Sequence, residues 1–208
     1  MKRLLFFITT MCISYTGLSA ADSWVQIGED EGITVFQKQE TDSEIISLRG
    51  ETTLNTTIDK IQEILRDNSI AHHWIPLVKV KKDIKIINHN ERIEYTHVDL
   101  PWPLDDRYFV NKAQSETRPD GKVVSYVKGI EEHEIKEDDK VMGFLYFSGV
   151  TMTPLEGGKK THLIVEINSD PKGSIPKWLV NVFQKDWPVK FFTGLKEQIE
   201  KRQKLVSK

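Results

Sequence analysis

Apolar and polar residues alternate along most of the chain between residues 77 and 169, and short polar turns interrupt the alternation. A two-residue period is typical of half-buried β-strands, and the turns carry the Gly, Pro, Asn and Asp residues that favour chain reversal. The pattern predicts strands at residues 77–88, 92–98, 106–116, 123–130, 141–155 and 161–169. Since no helical segment lies between them, we expect an antiparallel meander.

The chain before this region predicts two strands followed by a helix. A short amphipathic segment and a tight turn precede strands predicted at 33–39 and 45–53. Residues 56–67 then predict an amphipathic helix that opens at Asn55 or Thr56. The apolar residues that recur at helical spacing are Ile58, Ile61, Ile64 and Leu65.

The chain after residue 173 predicts a long closing helix at 174–203. Ser174 is placed to cap it, and Pro188 is expected to bend it without ending it, because the apolar stripe continues beyond the proline. The stripe consists of Trp178, Leu179, Val182, Phe183, Trp187, Phe191, Leu195 and Ile199.

These elements predict one α+β domain in which a curved antiparallel sheet wraps around the closing helix. Leu163, Val165 and Ile167 alternate with polar residues, so one face of their strand is apolar and must be covered. A strongly bent sheet encloses more space than one helix fills. The remainder is predicted to be an apolar cavity of the kind that holds small ligands.

The first residues have the order of a secretory signal peptide. Lys2 and Arg3 precede an apolar run at 4–15, and small residues follow, which predicts a signal peptide at 1–21. The run is short for a transmembrane helix, which needs about 20 apolar residues. The only cysteine, Cys12, lies within it, so the mature chain has no thiol. We therefore expect an exported, periplasmic protein without disulfides.

Composition argues against nucleic-acid and metal binding. Removal of the signal peptide takes away two basic residues, so the formal net charge falls from −2 to −4. Lysines are interleaved with acids and do not form the basic stripe that a duplex would need. His72 and His73 are adjacent, and no His-Glu-x-x-His spacing occurs. We predict no nucleic-acid partner, no metal and no cofactor.

Five stretches together resemble the START domain, the steroidogenic-acute-regulatory-related lipid-transfer family. They are GITVF at 32–36, Trp74, PWPLDDR at 101–107, DPKG at 170–173 and IPKWLVN at 175–181. Each is weak alone, but their order and spacing match over the whole mature chain, 22–208. The resemblance implies a lipid-binding domain of helix-grip fold in a bacterial exported member of the family.

The resemblance also implies which residues face the cavity. Those from the sheet are Glu94, Thr96, Phe109, Asn111, Ala113, Val150, Met152, Val165 and Ile167, and those from the closing helix are Leu179, Val182 and Phe183. The alternation of Leu163, Val165 and Ile167 gives the same strand phase independently. For each apolar residue, ordinary core packing is an equally good interpretation.

Glu94 is the most informative of these residues, because a carboxylate on an apolar face needs a partner or a ligand group. Sterol-binding members of the family carry an acid near this position and a base on the next strand, where this chain has Ala113. Phosphatidylcholine-binding members carry charged residues around the position of Trp74 and an aromatic at that of Thr96. Neither signature is complete here, which predicts a different amphiphile.

Two further roles follow from the resemblance. Arg107 begins a strand, and a structural ion pair with Asp105 or Asp106 is favoured over direct contact with a ligand. The acidic loop at 131–140, EEHEIKEDDK, is expected to close over the cavity beside the last helix.

Two hypotheses of function remain. In the first, the chain is a monomeric, non-enzymatic carrier that encloses one lipid or other amphiphile and contacts membranes transiently. In the second, it is a cyclase-like enzyme of the helix-grip superfamily that acts on an apolar substrate, with Glu94 as acid or base. The family resemblance and the lack of a recognised catalytic motif favour the carrier.

Overall fold

The computed structural model describes residues 23–206, apart from the side chains of Phe183 and Val206. The predicted signal peptide at 1–21, with Cys12, lies outside this part of the chain. Within residues 23–206, no helix is both long enough and apolar enough to cross a membrane.

Ten strands form a single curved sheet. They are β1 (Val25–Asp30), β2 (Ile33–Lys38), β3 (Ser47–Leu54), β4 (Val78–Asn88), β5 (Glu91–Val98), β6 (Arg107–Thr117), β7 (Val123–Gly129), β8 (Val141–Met142), β9 (Phe144–Leu155) and β10 (Lys160–Asp170). Their order is β1-β2-β3-β10-β9-β7-β6-β5-β4, and the short β8 pairs with β6.

The predicted antiparallel meander is confirmed, because β4, β5, β6, β7, β9 and β10 lie side by side in chain order with antiparallel pairing. Only β8 departs from this pattern among the described strands, since it pairs with β6 in parallel. The amphipathic segment predicted at the start of the mature chain is the exposed edge strand β1. Strand β4 is the opposite edge.

Three α-helices accompany the sheet: α1 (Ile58–Arg66), α2 (Lys177–Lys185) and α3 (Trp187–Val206). The predicted first helix is confirmed, but Thr57 caps it in place of Asn55 or Thr56, because the Thr57 hydroxyl accepts a hydrogen bond from the Lys60 N–H at 3.5 Å. A 3-10 helix at Asn68–His73 follows and leads into β4.

The closing segment is two helices, where the sequence predicted one bent helix. Helix α2 begins after Pro176, beyond the expected cap at Ser174, and ends before Asp186. Pro188 lies in the first turn of α3, where its missing N–H costs no helical hydrogen bond. The proline therefore belongs to the start of a helix, and in place of the bend predicted at Pro188 the helix breaks at Asp186, two residues earlier.

Helix α3 is buried against the concave face of the sheet. Phe192 and Leu195 are fully buried, and they pack in one cluster with Ile33, Val35, Leu163 and Val165 of the sheet. The approach is close at Gly50 on β3, where an added Cβ would lie 2.6 Å from Cε2 of Phe192. Only glycine leaves room for the helix at this distance.

A second, smaller cluster lies on the opposite face of the sheet. Tyr95, Tyr108 and Val110 are buried there, and Ile135 of the 131–140 loop packs against them. Since neighbouring residues of a strand point to opposite faces, this is the face away from Glu94 and Phe109. The expectation that the 131–140 loop closes over the cavity is therefore corrected: the loop covers the outside of the sheet.

Tyr95 is predicted to make the protein less stable in alkali. Two causes raise the pKa of Tyr95 from 10.0 to about 12. The larger is burial of the side chain, and the second is the hydrogen bond that its hydroxyl donates to Glu137 Oε1 at 2.9 Å. A raised folded-state pKa stabilises the protein fully below pH 10, and this contribution disappears as the pH rises through 12. The free energy of unfolding, measured in denaturant between pH 9 and 12, should fall less in Tyr95→Phe than in the wild type.

Tyr126→Phe is the matched control, because the Tyr126 side chain is 53 % exposed on the outer face. Its alkaline profile should follow that of the wild type. Identical profiles for Tyr95→Phe and the wild type would show that Tyr95 does not lie against Glu137.

Candidate ligand-binding cavity

A cavity of about 320 Å³ lies between the concave face of the sheet and the helices. Its wall comes from β4, β5, β6, β7, β9 and β10 on one side and from α1, α2 and α3 on the other. The volume is at the lower end of the roughly 300–1,000 Å³ typical of small-ligand sites. Sheet curvature produces this space, because α3 contacts the concave face chiefly at β2 and β3.

The predicted strand phase places nine side chains in the wall. They are Glu94, Thr96, Phe109, Asn111, Ala113, Val150, Met152, Val165 and Ile167. The antiparallel register explains why they meet: Glu94 is opposite Asn111, Thr96 is opposite Phe109, and Val150 is opposite Val165. Their contact with a lipid stays a prediction.

Two of the three residues expected from the closing helix, Leu179 and Val182, do not line this wall. Among the described side chains, α2 contributes Val180 and Gln184, and neither Leu179 nor Val182 is part of the lining. Val182 is 54 % exposed on the outside of α2. The side chain of Phe183 lies outside the described ones. The structure therefore corrects the expected cavity-facing positions of Leu179 and Val182, because Val180 and Gln184 line the cavity from α2.

Glu94 has two cationic partners inside the cavity. Its Oε1 accepts a hydrogen bond from Arg92 Nε at 2.6 Å, and its Oε2 lies 3.2 Å from Lys81 Nζ. The Glu94 side chain is only 2 % exposed. Burial alone would raise the pKa of Glu94, but Lys81 and Arg92 outweigh it and hold that pKa below its ordinary value. Glu94 is therefore an ionised carboxylate.

Lys81 and Arg92 are functional candidates that the sequence reasoning missed. Arg92 precedes Glu94 by two residues on β5, so the alternation of a strand already places both on one face. The family pattern places the base on the next strand, where this chain has Ala113, whereas here a base lies on the same strand as Glu94. Lys81 comes from the edge strand β4, whose pairing with β5 contains register shifts that sequence alone does not reveal.

Several wall residues have polar atoms without a protein partner. Asn111 is 5 % exposed, and its Oδ1 accepts no hydrogen bond from the described residues. Likewise, the Nε1–H of Trp74 donates no hydrogen bond to the described residues, and Oε1 of Gln184 accepts none from them. Unpaired buried polar atoms are uncommon, so these three are positioned to bond a ligand or a water.

The cavity is polar at one end and apolar at the other. The polar end lies beside α1 and the β4–β5 turn, and its wall includes Gln62, Arg66, His89, Asn90, Arg92 and Gln114. The apolar end lies beneath α2 and the 99–106 loop, and its wall includes Leu77, Leu100, Leu104, Ile175, Val180 and Trp187. An amphiphile matches this division of the wall.

Arg107 borders the apolar end but is held by backbone carbonyl groups. Its Nε donates to Pro171 O at 2.7 Å and its Nη2 to Lys172 O at 3.3 Å, and its Nη1 donates to Asp105 O. The expected ion pair with the carboxylate of Asp105 or Asp106 is thus replaced by carbonyl contacts. Arg107 is 2 % exposed and joins the start of β6 to the turn before α2. This is a structural role.

Asp106 anchors the 99–106 loop. Its Oδ2 lies 2.7 Å from His97 Nε2, and its Oδ1 accepts a hydrogen bond from the Leu100 N–H at 3.3 Å. The hydrogen bond with His97 holds the pKa of Asp106 below its ordinary value. The loop that presents Leu100 and Leu104 to the cavity is therefore fixed at both of its ends.

Helix α2 is held over the cavity mainly by polar contacts near its ends. Lys177 Nζ lies 2.8 Å from Asp170 Oδ2, and Gln184 Nε2 donates to Ser169 O at 2.9 Å. Asn181 donates to Glu44 O at 3.0 Å. By contrast, α3 is held by fully buried aromatic and aliphatic side chains. Helix α2 is therefore the covering element that separates from the sheet with less loss of apolar contact.

The described residues contain no group of three or more His, Cys, Asp or Glu side chains placed to hold a metal ion. His72 and His73 have ring centroids 3.8 Å apart, but no carboxylate completes a site with them in this part of the chain.

Comparison with known proteins finds a family and several solved structures that this chain resembles. A family model described as START domain matches residues 9–204, a span that overlaps the predicted signal peptide. An uncharacterized protein from Pseudomonas aeruginosa is 25 % identical over 186 residues, which covers 89 % of this chain and 91 % of that protein.

Several solved structures have a fold similar to that of this chain. A STAR-related lipid transfer protein from Xanthomonas axonopodis is 25 % identical, with a TM-score of 0.77 and coverage of 86 % of this chain and 99 % of that one. Human StAR-related lipid transfer protein 5 is 20 % identical, with a TM-score of 0.79 and coverage of 89 % of both chains. The Zhui aromatase/cyclase from Streptomyces is 12 % identical, with a TM-score of 0.52 and coverage of 75 % and 94 %.

Proposed function

Because the chain belongs to the START domain family, we propose that it is a non-enzymatic lipid carrier that encloses one amphiphile between the sheet and the closing helices. The observation that carries this proposal is the cavity of about 320 Å³ with one polar and one apolar end. Transfer of a hydrocarbon chain from water into such a cavity contributes roughly 0.8 kcal/mol per methylene. The polar end then fixes the orientation of the ligand.

A cyclase-like enzyme with Glu94 as acid or base is the alternative. A general acid must hold a proton near neutral pH, whereas Lys81 and Arg92 keep the pKa of Glu94 below its ordinary value. A general base needs a free oxygen, whereas both Glu94 oxygens lie against cations. The geometry supports a structural counter-ion and therefore favours the carrier.

Ligand exchange in this proposal takes place at the apolar end. Trp102 is 92 % exposed on the 99–106 loop, and Trp178 is 68 % exposed on α2. Leu104 and Val180, each two residues further along the chain, line the same end of the cavity. Exposed tryptophans are suited to the membrane interface. The monomer thus contacts a membrane transiently with these side chains, and α2 separates from the loop.

Export is part of the same proposal. The basic, apolar and small-residue order of residues 1–21 supports secretion across the inner membrane, so the carrier works in the periplasm. Mature protein from an envelope fraction should then begin at or next to Asp22. Soluble cytoplasmic protein that retains Met1 would contradict export.

Vesicle transfer tests the carrier. Phosphatidylcholine donor vesicles with a pyrene-labelled fatty acid are mixed with unlabelled acceptors, and pyrene excimer loss is followed. We expect the rate to rise with protein concentration and the recovered probe to have an unchanged mass. A chemically altered probe would support the enzyme, and absence of transfer would contradict the carrier.

The membrane-contacting residues can be tested in the same assay. Trp102→Ala and Trp178→Ala together should slow transfer several-fold but leave binding of the probe in solution unchanged. Tyr126→Ala is the control, since it also removes an exposed aromatic but lies on the outer face. Equal rates for all three proteins would show that the tryptophans are not the contact surface.

A further inference from the structure

The polar end of the cavity has an excess of positive charge. Within the described wall, Glu94 is the only acidic residue, and it is accompanied by the basic residues Lys81, Arg92 and Arg66. Arg107 also lines the cavity, but three carbonyl groups use its donors at the other end. One ionised carboxylate therefore faces two buried or half-buried cations at the centre of the polar end.

The side chain of Arg92 has donor groups left for a further anion besides Glu94 and Asp83. Its hydrogen bond to Glu94 uses Nε, and its contact with Asp83 Oδ1 at 3.3 Å uses the same atom. Asp83 is not part of the wall, is one-third exposed and is bonded by Asn68, so it balances Arg92 from outside. The two Nη groups make no hydrogen bond with the described residues. Such a pair of N–H groups matches a carboxylate or phosphate bidentately.

Lys81 and Asn111 complete the arrangement. Lys81 Nζ contacts Glu94 through one of its three donors, and its side chain is 16 % exposed. Asn111 lies opposite Glu94 on β6 and is 5 % exposed, and its Nδ2, which makes no hydrogen bond with the described residues, can donate to an anionic oxygen. A ligand head between these side chains would meet donors on two sides and the fixed negative charge of Glu94 behind them.

We propose that the amphiphile carries an anionic oxygen headgroup, a carboxylate or a phosphate, which binds to Arg92 and Lys81 while Glu94 serves as their internal counter-ion. This inference rests on the carrier function and names its ligand class. A trimethylammonium headgroup would face two cations and one carboxylate. A neutral hydroxyl headgroup would leave the Nη groups of Arg92 without an anionic partner in a half-buried site, which is costly.

Four single-chain probes with the same hydrocarbon test the charge preference: dodecanoate, dodecyl phosphate, dodecanol and dodecyltrimethylammonium. Isothermal titration of the delipidated protein should give an affinity for at least one anion that exceeds the affinity for dodecanol by about tenfold or more, a difference of 1.4 kcal/mol. A preference for dodecanoate identifies a fatty-acid type of head, and a preference for dodecyl phosphate identifies a phospholipid type.

Equal or tighter binding of dodecanol or dodecyltrimethylammonium would overturn the anionic headgroup and leave the carrier function intact. If none of the four probes binds, the carrier function itself fails. The two failures are therefore distinguishable.

Charge-neutralising variants test which residues cause the preference for an anionic headgroup. Arg92→Gln and Lys81→Gln should each reduce the anion-to-dodecanol ratio to about threefold or less. Lys85→Gln makes the same charge change on β4 at an exposed position outside the wall and should keep the wild-type ratio. If Arg92→Gln does not fold, the affinity ratio of Lys81→Gln alone tests whether these cations bind the headgroup. An unchanged ratio in a folded Lys81→Gln protein would contradict the assignment.

Discussion

Val150→Trp should abolish lipid binding without unfolding the protein. Val150 is half-buried because it faces the cavity from β9, between Val165 on β10 and Ser125 on β7. An indole ring at this position would occupy much of the space that about 320 Å³ provides. In a filled core the larger side chain would lower the free energy of unfolding by about 1–3 kcal/mol. An open cavity accepts it at a smaller cost, so the melting temperature should fall by less than about 4 °C.

Thr151→Trp is the matched control, since Thr151 is the next residue of β9 and points to the other face. It should keep the wild-type amount of bound lipid. Val150→Trp should retain less than about one-tenth of the wild-type affinity for the lipid probe. Wild-type lipid stoichiometry in a folded Val150→Trp protein would show that Val150 does not border the ligand.

Gly194→Ala should destabilise the protein by roughly 3 kcal/mol. An alanine inside a helix normally stabilises it by about 1 kcal/mol relative to glycine. Here an added Cβ would overlap the carbonyl oxygen of Trp74 and lie 3.1 Å from its carbonyl carbon. These are backbone atoms and cannot rotate away. Helix α3 would have to move from the segment that leads into β4.

Denaturant unfolding of Gly194→Ala and Gly28→Ala measures this effect. Gly28 lies on the exposed edge strand β1, and an added Cβ there meets no atom within 4 Å. Its variant should be within about 0.5 kcal/mol of the wild type. A Gly194→Ala protein as stable as the wild type, or more stable, would mean that α3 does not lie this close to Trp74.

The family resemblance predicted much of the cavity wall, and the alternation of Leu163, Val165 and Ile167 supported the same strand phase. Glu94 and Thr96 on β5, with Phe109 and Asn111 on β6, all lie where a two-residue period places them. The reason is physical: once one face of a strand is apolar and buried, a shift by one residue would expose every side chain of that face. The strand phase is therefore strongly determined by the sequence itself.

The face of α2 could not be predicted in the same way. Trp178, Leu179, Val180 and Val182 place apolar groups on several sides of this helix, so helical periodicity does not choose one. The structure turns Val180 inward and leaves Trp178 and Val182 exposed. An apolar residue on a covering helix is suited either to the cavity or to a membrane, and composition does not separate the two.

The 131–140 loop illustrates a second limit. Its acidic composition indicated a solvated segment but contained no information on which face of the sheet it covers. The contacts of Ile135 and Glu137 with the outer-face cluster decide this. Likewise, the partner of Glu94 on β4, Lys81, depends on register shifts between two strands. Both features arise from long-range packing, which local sequence patterns do not encode.

Native mass spectrometry of the chain, purified without refolding from the cells that make it, shows whether the folded protein encloses a lipid. A lipid carrier should have one amphiphile per folded chain, which is released intact when the protein is denatured and is absent from Val150→Trp. A folded chain without any bound small molecule, which also takes up none of the four dodecyl probes, would contradict the carrier function.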